Sequence, residues 1–180
     1  MSKCNTKEFV PLNIAIMTVS DRHSEESDSA GNYLAQVVEQ TGHQLMKKQI
    51  SKDCRYQIRA LVSNWIASDD VQVVIINGGT GFTENDATPE AVSVLFDRQM
   101  EGFGELFRQL SFDDIGTSCV QSRAIGGMAN RTAIFCLPGS PGAVKLGWER
   151  IISEQLDARH RPCNFVNHLK NVTHLKKEKR

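Results

Sequence analysis

From Leu12 onward the chain alternates short β-branched runs with longer stretches whose apolar residues recur every three or four positions. This is the pattern of successive βαβ units around a mainly parallel sheet. Ile14 to Val19 is the first predicted strand, and a polar loop from Ser20 to Ser29 leads into a helix from Ala30 to Thr41. That helix turns Leu34, Val37 and Val38 inward and is closed by Gly42. A second strand, Leu45 to Ile50, precedes a helix in which Ile58, Leu61, Val62, Trp65 and Ile66 follow the i, i+3, i+4, i+7, i+8 stripe, which makes Trp65 a core residue. Val73-Val74-Ile75-Ile76 is apolar at consecutive positions, as expected of a strand covered on both faces, and its helix is predicted to run to about Asp97. Gly102 and Gly104 interrupt the pattern before a helix from Glu105 to Phe112. Thr132 to Leu137 is again apolar throughout and opens into a long last helix, whose inner stripe is Val144, Trp148, Ile151, Ile152 and Leu156. The expected fold is a single three-layer α/β/α sandwich with a mainly parallel sheet and no internal repeat.

Two of the strands end in glycine turns. After Ile76 comes Asn77-Gly78-Gly79-Thr80-Gly81, then Asp86 and Thr88-Pro89-Glu90; after Leu137 comes Pro138-Gly139-Ser140-Pro141-Gly142. Thr88 reads as a helix N-cap with Pro89 at the first helical position and Glu90 favourable to the dipole. A glycine turn running into a helix start presents free N–H groups and suits an anion, most often phosphate. Asp86 is then a carboxylate beside an anion site, which makes sense with a divalent cation between them; the plainer reading makes it an alternative cap. On the phosphate reading a methyl at Gly79 would clash chiefly with the ligand. The segment is not a P-loop, lacking the Lys-Ser/Thr step, and lacks the G-x-G-x-x-G spacing of dinucleotide folds. Parallel strands place their carboxyl-end loops on one edge, so both turns, with Ser20 to Asp28 and Ser51-Lys52-Asp53, should share that edge, with Asp53 and Asp86 within reach of each other.

Composition sharpens this only by exclusion. Lys plus Arg and Asp plus Glu both number 21 in 180 residues, so no bulk charge favours nucleic acid or a membrane surface, and an anion site must be local. No run approaches the roughly 20 apolar residues of a membrane span, and the first residues lack an apolar signal core, which points to a cytoplasmic protein. Five scattered cysteines without a C-x-x-C pair read as free thiols, and none of the five histidines shows ligand spacing. Polar tails are expected over residues 1–11 and 166–180, with Lys170, Lys176, Lys177, Lys179 and Arg180 in solvent.

Gly78-Gly79-Thr80-Gly81 with Asp86 and Thr88-Pro89-Glu90-Ala91, and the second loop Leu137-Pro138-Gly139-Ser140-Pro141, resemble the signature segments of the MoaB/MogA family of molybdenum cofactor biosynthesis proteins. Thr18-Val19-Ser20-Asp21, Gly102-Phe103-Gly104-Glu105 and Ser122-Arg123 match further family segments in order, and Arg161-Pro162-Cys163-Asn164-Phe165 is more similar to the bacterial MoaB branch. The resemblance covers nearly the whole chain as one molybdopterin-binding domain, 1–180. It implies binding of molybdopterin, a pterin dithiolene bearing a phosphate, and in the MogA branch its adenylylation by Mg-ATP; homotrimers or homohexamers are implied as well. The alternatives are a non-catalytic molybdopterin carrier and a nucleotide-binding protein of the same pathway. The family's catalytic aspartates, tied to magnesium, fall on Asp53 and Asp86, and Glu105 matches a third acidic position. Ser20, Gly78, Gly79, Thr80, Gly81, Thr88, Arg123, Pro138, Gly139 and Ser140 fall on the ligand-binding positions. Two departures are Asn77, where the family usually has Thr, and Cys54, where adenylylating members often have a second acidic residue.

Overall fold

The computed structural model describes residues 8–172. A six-stranded sheet in the order β2-β1-β3-β6-β5-β4 forms the middle layer. Its strands are β1 (Asn13–Val19), β2 (Gln44–Ser51), β3 (Val73–Asn77), β4 (Arg98–Gln99), β5 (Ile125–Ala129) and β6 (Thr132–Leu137). β2, β1, β3 and β6 are mutually parallel, whereas β5 runs against β6 and β4 against β5. Every residue of β3 and β6 is buried, as their unbroken apolar runs require of strands covered on both faces.

Alternate residues of the central strands feed two cores. Ile14, Ile16, Val73, Ile75, Phe135 and Leu137 pack against α1 (Ser29–Gln40), α4 (Glu101–Ile115) and the last helix through Leu34, Val38, Phe103, Phe107, Val144 and Trp148. Ala15, Met17, Val74, Ile76, Ile134 and Cys136 face α2 (Arg55–Ala67) and α3 (Thr88–Val92), where Ile58, Val62, Trp65, Ala91 and Val92 cover them. The three-layer α/β/α expectation holds.

Several element boundaries differ from those expected. α3 ends at Val92 and gives way to a 3-10 turn, Ser93–Leu95, so no helix reaches Asp97. Gly102 and Gly104 lie inside α4, which begins at Glu101 and not at Glu105. A methyl on Gly104 would sit 2.6 Å from the Ala124 carbonyl oxygen, so this glycine lets the helix lie close against the chain entering β5. β5 itself was not expected. Its Gly126 and Gly127 lie under Phe103 and Phe96, and a methyl at Gly127 would come within 2.3 Å of the Phe96 ring. The last helix consists of α5 (Pro141–Gly147), a π turn over Trp148–Ile152 and α6 (Ser153–Gln155).

The carboxyl-terminal segment is also less solvated than expected. Lys170 is buried, donates from Nζ to the Ile66 carbonyl, and accepts from Gln72 Nε2 at its own carbonyl. Val166, Leu169 and Val172 are in the core. Lys176, Lys177, Lys179 and Arg180 lie outside the described residues, as does Cys4.

Candidate functional site

The two glycine turns meet at the carboxyl end of the sheet. The Gly78 N–H donates to the Leu137 carbonyl at 3.0 Å, and a methyl on Gly139 would sit 3.1 Å from Gly78 Cα. Gly78 and Gly79 have φ of +95° and +62°, left-handed values that suit glycine. Packing adds a second demand, since a methyl on Gly78 would lie 2.3 Å from the Val19 carbonyl oxygen at the end of β1. The loop after β1 joins the same edge: Ser20 N–H donates to the Ser51 carbonyl at 2.9 Å, and Ser20 Oγ accepts from Arg22 and His23 N–H.

Thr88 is not the cap that the sequence suggests. It is the first residue of α3, fully buried, and its hydroxyl donates to the Gly78 carbonyl at 2.9 Å while its N–H donates to Gly79 O. The glycine turn is thereby pulled down onto the helix start, with the Thr88 hydroxyl used inside the protein. Ala87 holds the cap position with no side chain to offer, and its free N–H is taken by Asp53 Oδ1 at 3.1 Å, from the far end of β2. A side chain 34 residues away does what a local cap does elsewhere.

Asp86 is not a cap either. Its Oδ2 accepts from both the N–H and the hydroxyl of Thr83, at 2.8 and 2.6 Å, and closes the turn that follows the glycines. Burial alone would raise its pKa, but the Thr83 donors, the Gly81 N–H and the Arg123 charge together hold it below the usual carboxylate range. Asp53 goes the other way. Burial is the main cause, and the nearby charges of Asp86 and Asp21 push in the same direction against the Ala87 N–H and Arg123. Asp21 is close enough for its Oδ1 to accept from the Asp53 N–H at 3.3 Å. Asp53 is thus a half-buried carboxylate facing two others, an arrangement that a cation would relieve. Among the described residues no group of three or more side chains has the placement of a metal cage.

Arg123 holds the loop from three directions. Nε donates to the Thr80 carbonyl at 3.3 Å, Nη2 donates to the Asp86 carbonyl at 2.7 Å, and Nη1 is paired with the Glu90 carboxylate. Its guanidinium carbon lies over the Phe82 ring, 5.2 Å from the centroid. On the other loop, Ser140 Oγ caps α5 by accepting from Ala143 N–H, Gly139 and Ser140 are exposed, and Pro138 is half-buried. Glu105 is not brought to this edge by any contact: it is exposed on α4, and its side chain makes no hydrogen bond or ion pair among the described residues.

One role on the edge was missed in the sequence, although the loop from Ser20 to Asp28 was placed there. Asp28, buried, caps α1 through Gly31 N–H (2.9 Å), accepts from the Thr18 hydroxyl (2.7 Å) and pairs with Lys48 Nζ (3.5 Å). The Thr18 hydroxyl also lies 3.1 Å from Asn77 Oδ1, so this cluster ties together the ends of β1 and β3 just below the glycines. The signal available was an Asp directly before the first helix, an N-cap residue type in its usual place. A cavity of 860 Å³ lies elsewhere, around Arg98, Met128, Arg131 and His168, beside the β5–β6 turn at the opposite end of the sheet. It is far from the glycine turns and carries neither Asp53 nor Asp86, so volume alone is a poor guide here.

Residues 15–158 match a family described as a probable molybdopterin binding domain. The chain is 59% identical over 170 residues to molybdenum cofactor biosynthesis protein B of Escherichia coli strain K12, covering 94% of this chain and 99% of that protein. A crystal structure of a molybdenum cofactor biosynthesis protein B superposes with a TM-score of 0.79 at 43% identity, over 81% of this chain and 91% of that one. A tungsten cofactor synthesizing protein MoaB from Pyrococcus furiosus does so with a TM-score of 0.73 at 33% identity, over 80% and 92%.

Proposed function

Because the chain belongs to this family of molybdopterin-binding domains, shared with molybdenum cofactor biosynthesis proteins, we propose that its glycine edge binds molybdopterin by the phosphate and adenylylates it with Mg-ATP. The observation that carries the reading is the close approach of Gly139 to Gly78, which joins the two glycine loops at one edge, with Asp53 and Asp86 beside them.

The residues at this edge fit magnesium in one way. Asp53 Oδ1 is committed to Ala87, and Asp86 already accepts from Thr83 and the Gly81 N–H, so each carboxylate has only part of its acceptor capacity left for a cation. Mg²⁺ is commonly held by one or two carboxylates with substrate phosphates and water completing its octahedron. The site therefore suits a cation that arrives with the nucleotide. When bound, the cation would neutralise charge on the ATP phosphates.

The transfer joins a molybdopterin phosphate oxygen to the α-phosphorus of ATP, forming a P–O–P bond. The bond from α-phosphorus to the bridging oxygen breaks, and pyrophosphate leaves with that electron pair. With its second pKa near 6, the attacking phosphate is already mostly a dianion at neutral pH, so no side chain has to remove a proton. Catalysis then rests on in-line placement and on N–H groups aimed at developing charge. Arg123 contributes by fixing the loop that carries those N–H groups, because its own donors are occupied by Thr80, Asp86 and Glu90.

Incubating the purified protein with molybdopterin, ATP and Mg²⁺ tests this. Adenylylated molybdopterin and pyrophosphate are expected in equal amounts, and Asp53→Asn should form neither. Cys54, standing where adenylylating members often have a second acidic residue, favours one further reading, a carrier that binds without transfer. Stoichiometric molybdopterin binding with no pyrophosphate would establish the carrier and overturn transfer. Assembly as a homotrimer or homohexamer in the cytoplasm belongs to the same proposal; among the described residues no helix is long and apolar enough to cross a membrane.

A further inference from the structure

Phe82 stands out on this edge because it is 71% exposed yet sits on a segment fastened at every side. The turn behind it is closed by Asp86 onto Thr83, and the backbone on both flanks is held by Arg123 at Thr80 and Asp86. The guanidinium that makes those two bonds also lies over one face of the Phe82 ring at 5.2 Å. An exposed phenylalanine on a loose loop would need no explanation, since single apolar side chains are common on surfaces. Here the ring is held outward, one residue past Gly81, with its second face toward solvent.

Resting on the reading that this edge binds a phosphate-bearing ligand, we propose that Phe82 is a stacking platform for the ligand's planar heteroaromatic ring, with Arg123 as the residue that positions it. A flat ring attached to a phosphate is the chemistry shared by a pterin and a purine nucleotide. The phosphate goes to the N–H groups of the glycine turns, and the ring lies against the open face of Phe82. Every such ring has a π face, so the platform supplies affinity for the class, while hydrogen-bonding groups around it distinguish members. The arginine on the opposite face leaves the Phe82 ring little freedom to reorient when the ligand arrives.

The test separates ring from phosphate. Tripolyphosphate, ATP and molybdopterin are titrated, with Mg²⁺, against wild type, Phe82→Ala, Phe82→Leu, Phe82→Trp and a control outside the loop, Val120→Ala, which removes an equally exposed apolar side chain. Phe82→Ala and Phe82→Leu should weaken at least one ring-bearing probe by roughly tenfold or more, the range of a single ring stacked on an aromatic side chain. Tripolyphosphate should bind all variants alike, Phe82→Trp should restore affinity, and Val120→Ala should match wild type. Loss with ATP alone assigns the platform to the nucleotide, and loss with molybdopterin alone assigns it to the pterin. Unchanged affinity of Phe82→Ala for both ring-bearing probes overturns the platform while leaving the phosphate cradle standing, as does an equal loss of tripolyphosphate. Wild type that binds none of the three overturns the cradle and the platform together.

Discussion

Asp53 is placed where its own charge is a burden. Its raised pKa means that the folded state favours the neutral carboxyl: the protonated form contributes stability below the unfolded pKa, and that contribution is lost as pH rises through the folded value. At neutral pH the ionised group is therefore a net cost, one expected of a group kept for function. Asp53→Asn preserves an oxygen for the Ala87 N–H and removes the charge. Its melting temperature should equal or exceed that of wild type while Mg²⁺-dependent binding of ATP disappears; a clear loss of melting temperature would mean that Asp53 is structural. Gly79 reverses an expectation drawn from sequence. A methyl there would meet Thr88 Oγ1 at 2.4 Å and Asp53 Oδ2 at 2.9 Å, so it collides with the protein before any ligand arrives. Left-handed strain and a displaced Thr88–Gly78 hydrogen bond together cost about 2 kcal/mol. Gly79→Ala should thus melt roughly 4–8 °C lower without any ligand, and an unchanged apo melting curve with lost binding would restore the ligand-clash view. The need for glycine was legible in the sequence; the direction of the missing Cβ was not, because it depends on Asp53 and Thr88 closing over the turn.

At the scale of elements, long strongly periodic segments were readable and sequence-distant ones were not. β1, β3, β6 and α2 follow from consecutive or helical-period apolar residues, and their packing into two cores agrees with that reading. β5 escaped because Ile125-Gly126-Gly127-Met128-Ala129 has weak strand propensity; its glycines answer to the phenylalanines above them. α4 shows the same limit. Gly102 and Gly104 look alike in sequence, yet a methyl on Gly102 meets nothing within 4 Å and one on Gly104 meets the Ala124 carbonyl oxygen at 2.6 Å. Gly102→Ala should therefore be neutral or stabilising by up to about 1 kcal/mol. Gly104→Ala should be destabilising by more than that, and denaturant midpoints measure both. Similar effects from the two substitutions would contradict the close approach of α4 to Ala124.

The whole molecule joins the functional edge to a sheet that is stabilised partly at its other end. There His43 Nδ1 accepts from the Leu12 N–H at 3.2 Å, with the Phe9 ring tilted against it at 4.9 Å and Trp148 edge-on at 6.4 Å, and burial pushes its pKa down to about 4 despite Asp157 nearby. The unfolded chain binds this proton near pH 6.5, so stability should fall on acidification from about pH 6.5 to pH 4, by on the order of 3 kcal/mol. Melting curves across that range check it, and His43→Gln should flatten the dependence. None of this touches the glycine edge, which is why ligand binding and acid stability should vary independently. The candidate site itself was legible to the extent that parallel topology dictates it: strands pointing one way must bring Gly78, Gly139, Asp53 and Asp86 to one edge. The roles within it were not, since Thr88 and Arg123 show their partners only in three dimensions.

Hydrogen exchange with and without molybdopterin tests the location of binding most directly. The account expects slowed exchange in the segments spanning Gly78 to Thr88 and Gly139 to Ala143, and no change around Arg98 to Met100 and Asn167 to His168. Protection confined to that second region, the wall of the 860 Å³ cavity, would contradict it.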